Sequence, residues 1–217
     1  IILKRRIYMY TPRHFKVTDM NEIWNFVQEN SFGTIVTNDG GKPIATHLPF
    51  LLHKKDDDYY LTSHFAYGNL QWKTLEQHDD VLVIFQGPHA YVSSSWYGHE
   101  NVPTWNYQAV HLYGKATILT KAELREDLAN LLEKYEKHRE NPVLWDTLSP
   151  ELLESQMKGV VGFKIKVEEV QAAYKLSQNR NEEDYMNIIN KLKEEDNPVS
   201  TQVALEMERI KKDQLKG

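Results

Sequence analysis

The sequence contains no cysteine in 217 residues, which removes disulfides, thiolate zinc sites, iron–sulfur clusters and thiol catalysis together and agrees with a reducing compartment. It also lacks any apolar run near the roughly 18 residues of a membrane span, so no spanning helix is predicted. Mean hydropathy is −0.61. The opening Ile1–Tyr8 is too short and too charged for a signal peptide, so a cytoplasmic location is expected. Met9-Tyr10-Thr11-Pro12 reads as a natural start, and residues 1–8 are expected to be an upstream extension. An excess of positive charge is missing as well: 26 Lys and Arg stand against 31 Asp and Glu, a net charge of −5. That balance argues against a broadly basic nucleic-acid surface and leaves room only for a local patch. No Walker loop, dinucleotide glycine fingerprint, Gly-x-Ser-x-Gly elbow or His-Glu-x-x-His pattern occurs. What remains is ordinary globular composition, 41% hydrophobic, long enough to bury about 70% of its unfolded surface without metal or disulfide.

Periodicity then divides the chain. Met20, Ile23, Trp24 and Val27 recur at helical spacing behind Asp19 and Glu22, an N-cap and N3 pair. Residues 34–37 and 43–48 flank the Gly-rich segment 38–41 and predict a hairpin. A third strand is expected over 59–64, after a charged turn at 54–58, and a helix over 69–77. Residues 81–85 form a continuous apolar run, expected to be buried on both faces, and 90–93 a separate strand. Along 109–119, Val110, Leu112, Ala116 and Ile118 alternate with His111, Tyr113, Lys115 and Thr117, one dry face and one wet or functional face. Thr120 and Glu123 make a capping box ahead of a helix reaching Glu140, with Leu124, Leu128, Leu131, Leu132 and Tyr135 on one stripe. Ser149-Pro150 opens a short helix, and Val161, Phe163, Ile165 and Val167 define a last strand. From Asn181 onward Glu, Lys, Asn and Asp dominate, and Asn197-Pro198 separates two helices over 183–194 and 199–212. Six or seven short strands, mostly connected too tightly for βαβ crossovers, predict an α+β chain built on a small antiparallel barrel. Its domain is expected over 9–180 and a helical tail over 181–217.

Two stretches could carry chemistry. Residues 87–111 concentrate hydroxyls, an amide and indoles, among them Ser93, Ser95, Trp96, Thr104, Trp105, Asn106 and His111. Such a set suits a flat heterocycle with a polar rim, and equally suits a barrel loop pinned down by aromatics. Residues 62–72 run from a strand through a tight turn into a helix, where free N–H groups and Thr62, Ser63, His64 and Asn69 could meet a phosphate; an ordinary capped helix explains the same residues. The nine histidines show no short metal-ligand spacing, so no metal is expected. No acid–base dyad announces itself, and no catalytic residue is assigned.

These same segments carry a resemblance. Residues 9–15, Thr46-His47-Leu48-Pro49, residues 64–72, 87–93 and 102–107, and Lys175-Leu176-Ser177-Gln178-Asn179-Arg180 together resemble the PaiB family of negative transcriptional regulators, over nearly the whole chain. Leu70 stands where the family usually has Pro, and so does Ser94. The resemblance implies the FMN-binding split barrel shared with pyridoxine phosphate oxidases, with two subunits holding flavin at their interface. It implies repression of sporulation and degradative-protease genes. On this reading the FMN phosphate meets the turn from His64 to Asn69, the isoalloxazine lies along strands holding His47 and residues 92–96, and residues 104–106 with His111 close the rim. Lys175 and Arg180 could bridge to the tail, approach a flavin phosphate or face another ligand. No helix-turn-helix can be made out, which argues against direct DNA contact. A flavin-dependent oxidoreductase is the alternative, because the flavin itself carries the redox chemistry. A haem-handling or structural dimer without flavin is a third.

Overall fold

The computed structural model describes residues 9–214; the expected extension over residues 1–8 lies outside the described residues. In chain order the elements are α1 (Met20–Glu29), β1 (Phe32–Asp39), β2 (Lys42–Pro49), β3 (Leu51–Lys55), β4 (Asp58–Ala66), a 3-10 turn (Leu70–Lys73) running into α2 (Thr74–Gln77), β5 (Asp80–Val92), β6 (Thr104–Ile118), α3 (Lys121–Glu136), α4 (Pro150–Met157), β7 (Val160–Lys175), α5 (Glu182–Glu194) and α6 (Pro198–Gln214). The strands form one antiparallel sheet in the order β2-β1-β5-β6-β7-β4-β3. Among the described residues no helix is long and apolar enough to cross a membrane. The chain divides into two compact units: a central unit of Val27–Phe85 and His111–Val170, and a terminal unit holding the chain up to Phe26, Gln86–Val110 and everything from Gln171 onward.

In the central unit the β1–β2 hairpin turns at Gly40 and Gly41, whose φ values of 57° and 97° favour glycine, and it keeps register from Asp39↔Lys42 to Phe32↔Pro49. Inward residues are aromatic and aliphatic. Phe50, Phe65, Phe85, Phe163, Ile35, Leu61, Val83, Leu112 and Ile165 are all fully buried. α3 lies outside, fixed by the capping box of Thr120 and Glu123, by Lys164 to Glu123 at 2.7 Å, and by Leu124 over Gly162, where a Cβ would come within 2.7 Å of the leucine. In the terminal unit α5 and α6 form a helical pair whose Ile188, Ile189, Leu192, Val203, Ala204 and Met207 are buried. The Tyr185 hydroxyl donates to the Met207 carbonyl at 2.8 Å. Asp184, itself buried, accepts the Gly98 N–H at 2.8 Å and so clips the loop after β5 onto α5.

Three sequence expectations are corrected. The charged stretch at 54–58 is mostly strand: β3 pairs with β4 from Leu51↔Thr62 to Lys55↔Asp58, and only Asp56 and Asp57 reverse the chain. β3 sits at the sheet edge, where exposed lysines such as Lys54 and Lys55 deter pairing with other chains. The two expected strands at 81–85 and 90–93 are the single strand β5, running through Gly87 and Pro88. Its apolar run is not buried on both faces: Val81, Val83 and Phe85 are buried, whereas Leu82 and Ile84 remain partly open to solvent.

The closest approach of neighbouring strands generates a test. A Cβ at Gly114 of β6 would run into the Lys166 carbonyl oxygen, and backbone cannot swing aside as a side-chain end can. Gly114→Ala is expected to lower the stability by about 2–3 kcal/mol in urea denaturation, the cost of overpacking. Gly68→Ala, with nothing within 4 Å of its Cβ, is the near-neutral control.

Candidate functional site

The side chains marked by the sequence fall into two groups, one in each unit. In the central unit His47 is exposed on β2, its ring 6.4 Å from and stacked on that of Phe32, which is 66% exposed. The registers Thr34↔His47, Val36↔Ala45, Thr34↔Ile84 and Val36↔Leu82 place these positions on one face of the sheet. That face is apolar at its centre, where Val36, Leu82 and Ile84 are half-buried, while Ala45 and His47 are exposed. His111 is half-buried at an outward position of β6, between buried Val110 and Leu112, and burial pushes its pKa below the usual histidine range.

The donors expected to meet a phosphate are engaged inside the unit. Thr62 donates to the buried Asp127 carboxylate of α3 and accepts from His53 Nε2 at 2.8 Å. Ser63 donates to the Pro49 carbonyl at 2.7 Å. Asn69 caps the 3-10 turn by accepting the Gln71 N–H at 3.1 Å, and donates to the Thr46 hydroxyl at 2.9 Å. His64 Nδ1 is buried and has no hydrogen-bond partner. Desolvation pushes its pKa down against the opposing charge of Asp127. The helix after the turn is short, α2 having four residues, so little dipole is available for an anion.

Sequence reasoning missed two features here. Gln71 is buried and its amide spans the Ile35 carbonyl, the Thr37 hydroxyl at 3.1 Å and the Ile44 carbonyl, while its oxygen accepts from Thr46 at 2.5 Å. Asp127 lies three residues after Leu124 on the apolar stripe of α3, a visible sign of a buried carboxylate. With His53, Thr62 and Asn130 it lines a cavity of about 410 Å³ beneath that helix.

In the terminal unit Ser93 caps a 3-10 turn (Ser94–Trp96), accepting the Ser95 N–H at 3.2 Å, and its hydroxyl lies 2.9 Å from that of Ser95. The Trp96 carbonyl accepts from Asn187 of α5 at 2.6 Å. Trp105 is 53% exposed, its ring 6.2 Å from His89 and 5.9 Å from Tyr91, which makes a solvent-facing aromatic patch. Asn106 faces inward, fully buried, accepting from Ser177 at 3.0 Å and donating to the Met207 sulfur at 3.4 Å. Lys175 donates to the Thr104 hydroxyl. The Arg180 guanidinium lies over the Tyr97 ring, 4.7 Å from its centroid. Among the described residues no group of three His, Asp or Glu side chains could hold a metal.

Residues 9–169 match the family described as "Putative FMN-binding domain". Over 207 residues the chain is 70% identical to the protease synthase and sporulation protein PAI 2 of Bacillus subtilis (strain 168), covering 95% of this chain and 100% of that protein. The chain belongs to the PaiB family of FMN-binding proteins. Solved structures similar to this PaiB-family chain include the flavocytochrome Anf3 of Azotobacter vinelandii, at TM-score 0.59 and 17% identity over 82% of this chain and 78% of that one. Another is the FAD and heme binding protein of Mycobacterium smegmatis, at TM-score 0.55 and 12% identity over 79% and 78%. At these identities the likeness is one of fold, and that fold is the split barrel. FMN is the cofactor that the family match supports, and residues of the central unit fit it: a half-buried apolar strip of sheet beside the exposed, ring-stacked His47.

The two depressed histidines fix a pH dependence. His64 and His111 bind a proton less readily folded than unfolded, so the unfolded state takes up more protons below the unperturbed value of about 6.5. Stability is expected to be level above pH 6.5 and to fall as the pH drops from there through the folded-state values. Urea midpoints between pH 8 and pH 5 measure this, and His64→Gln should flatten the acid slope.

Proposed function

We propose that this chain is a PaiB-type negative regulator of sporulation and degradative-protease genes whose activity is tied to FMN bound on its split barrel. The observation that carries this reading is the 70% identity, over the whole length of the relative, to a protein named for protease synthesis and sporulation. Flavin chemistry is supported by the family match and by the exposed His47 beside a half-buried apolar strip of the central unit's sheet.

In this proposal His47, with Phe32, flanks the flavin ring, and His111 offers a neutral imidazole to its rim at pH 7. Bound FMN would supply hydride and electron transfer, which the chain's own side chains do not. A second copy of the chain covers Val36, Leu82 and Ile84, giving a homodimer, because partly exposed aliphatic residues side by side on a sheet gain most by leaving water. Trp105 and its aromatic neighbours, with Thr104, Ser93, Ser95 and Trp96 beside them in sequence, are the surface a partner or a flat ligand would meet in the terminal unit. Asn106, being buried, acts by holding Ser177 in place. The net charge of −5 and the mixed charge of α3 favour regulation through a partner or a metabolite over direct DNA contact, in a cytoplasmic protein.

Titration of flavin-free protein with FMN, followed by visible absorbance and tryptophan quenching, tests the reading. Saturable binding is expected, with His47→Ala weakening it by about tenfold, near 1.4 kcal/mol, at nearly unchanged melting temperature, since the ring is exposed. No binding at saturating FMN would remove flavin from the proposal. NAD(P)H oxidation with turnover and no effect on target-gene expression would replace regulation by an oxidoreductase.

A further inference from the structure

Segment 174–180 of the terminal unit is held in an unusual way. Ser177 takes φ of 62°, a left-handed conformation costly for a residue other than glycine. Hydrogen bonds on both sides keep it there: Gln178 donates to the Tyr174 carbonyl at 2.6 Å and accepts the Leu176 N–H at 2.8 Å, the Arg180 N–H reaches the Ser177 carbonyl at 3.0 Å, and the buried Asn106 accepts from the Ser177 hydroxyl. The turn carries a cation at each end. Among the described residues neither Lys175 nor Arg180 is paired with a carboxylate; Lys175 has only the Thr104 hydroxyl, and Arg180 only the face of Tyr97. Tyr97 is itself buried, and its hydroxyl has no hydrogen-bond partner. Lys175 also lines a cavity of about 230 Å³ with Thr11, Phe15 and Tyr107.

Two like charges fixed on one turn, partly shielded from water and without a counter-charge, raise the energy of the folded unit unless something neutralises them. Burial, and then the charge of Arg180, both push the Lys175 amine below the usual lysine range. A group with several acceptor oxygens and negative charge answers all of this: it takes the ammonium as a point charge and the guanidinium as a planar fork. We infer that Lys175 and Arg180, with Thr104, form an oxyanion site in the terminal unit that takes the phosphate group of a small ligand seated in the neighbouring cavity. The site stands on these contacts alone. Whether the phosphate is that of FMN rests on the flavin reading above.

The experiment uses the full chain, dialysed into chloride buffer and titrated with inorganic phosphate while the melting temperature is followed. The wild type is expected to gain several degrees by mass action. The double variant Lys175→Gln, Arg180→Gln is expected to gain none, while its melting temperature in chloride stays close to that of the wild type, the relieved repulsion offsetting the lost Thr104 bond and Tyr97 contact. A wild type that ignores phosphate, or a double variant that responds equally, overturns the assignment; so does a double variant that melts far lower in chloride yet binds phosphate unchanged. If the double variant does not fold, Lys175→Gln alone decides: phosphate affinity falls by about tenfold or more, and an unchanged affinity overturns the site. FMN and riboflavin then separate the sources. FMN bound about tenfold more weakly by Arg180→Gln, with riboflavin unchanged, assigns the site to the flavin phosphate. Both flavins bound alike by wild type and variant, with the phosphate response lost, assigns it to a second anionic ligand. A wild type that binds neither flavin but responds to phosphate keeps the site and sinks the flavin reading.

Discussion

The Phe50 ring touches two strands that are not neighbours, and the central unit is built around that contact. Its centroid lies 5.5 Å from Phe85 on β5 and 6.2 Å from Phe163 on β7, while β6 separates those strands in the sheet. Strands on either side of a third lie about 10 Å apart, within reach of one ring placed between their side chains, and Phe65 extends the cluster by stacking 4.9 Å from Phe163. Each ring leaves water completely, worth about 2–3 kcal/mol apiece. Phe50 is also tied by backbone, donating its N–H to the Ser31 carbonyl at 2.8 Å just after β2 ends. Gly33 permits the approach, because a Cβ there would come within 2.8 Å of the Phe85 ring.

Filling the interior with rings decides what the polar side chains can do. Thr37, Thr46, Asn69, Gln71 and Thr74 satisfy one another and the carbonyls of Ile35 and Ile44, because a buried amide left unpaired would cost more than the bond returns. Thr62 and Asp127 do the same under α3. Donors that look available along the sequence are therefore structural, and chemistry is left to outward positions. There the sheet is unequal: β4 and β7 are covered by α3 through Thr62, Lys164 and Gly162, whereas β1, β2 and the first half of β5 present Val36, His47, Leu82 and Ile84 to whatever comes from outside the unit.

Local signals were legible in the sequence and long-range ones were not. The Gly40–Gly41 turn and the Thr120–Glu123 capping box are decided by residues within four positions of one another, and both appear as read. β3 was hidden because edge-strand lysines look like turn residues, and the open side of β5 because Leu82 and Ile84 look like core. The Thr46–Gln71 and Thr37–Gln71 bonds span 25 and 34 residues, and no spacing rule announces them. The motif departure at Leu70 has a simple physical reading. Its side chain is exposed, and the cap at Asn69 uses only the asparagine side chain and the Gln71 N–H, so leucine in place of proline disturbs no buried contact.

In the terminal unit the same bonds that fix the cation pair also dock the C-terminal helices. Asn106 joins Ser177 to Met207 of α6; Arg180 rests on Tyr97, whose neighbour Gly98 is held by Asp184 of α5; Asn187 of α5 holds the Trp96 carbonyl. A ligand that neutralises Lys175 and Arg180 therefore removes a repulsion from the framework on which α5 and α6 rest. By linkage, if that ligand raised the affinity of a partner for α5 and α6, the partner would raise the affinity for the ligand by the same factor. The charged outer surfaces of α5 and α6, with Lys193 to Glu208 at 2.6 Å and Arg209 to Glu22 at 3.3 Å, are held by exposed ion pairs that exchange readily with another charged surface. In the regulatory reading proposed above, the occupancy of that site would be felt at the surface of α5 and α6 through these few hydrogen bonds.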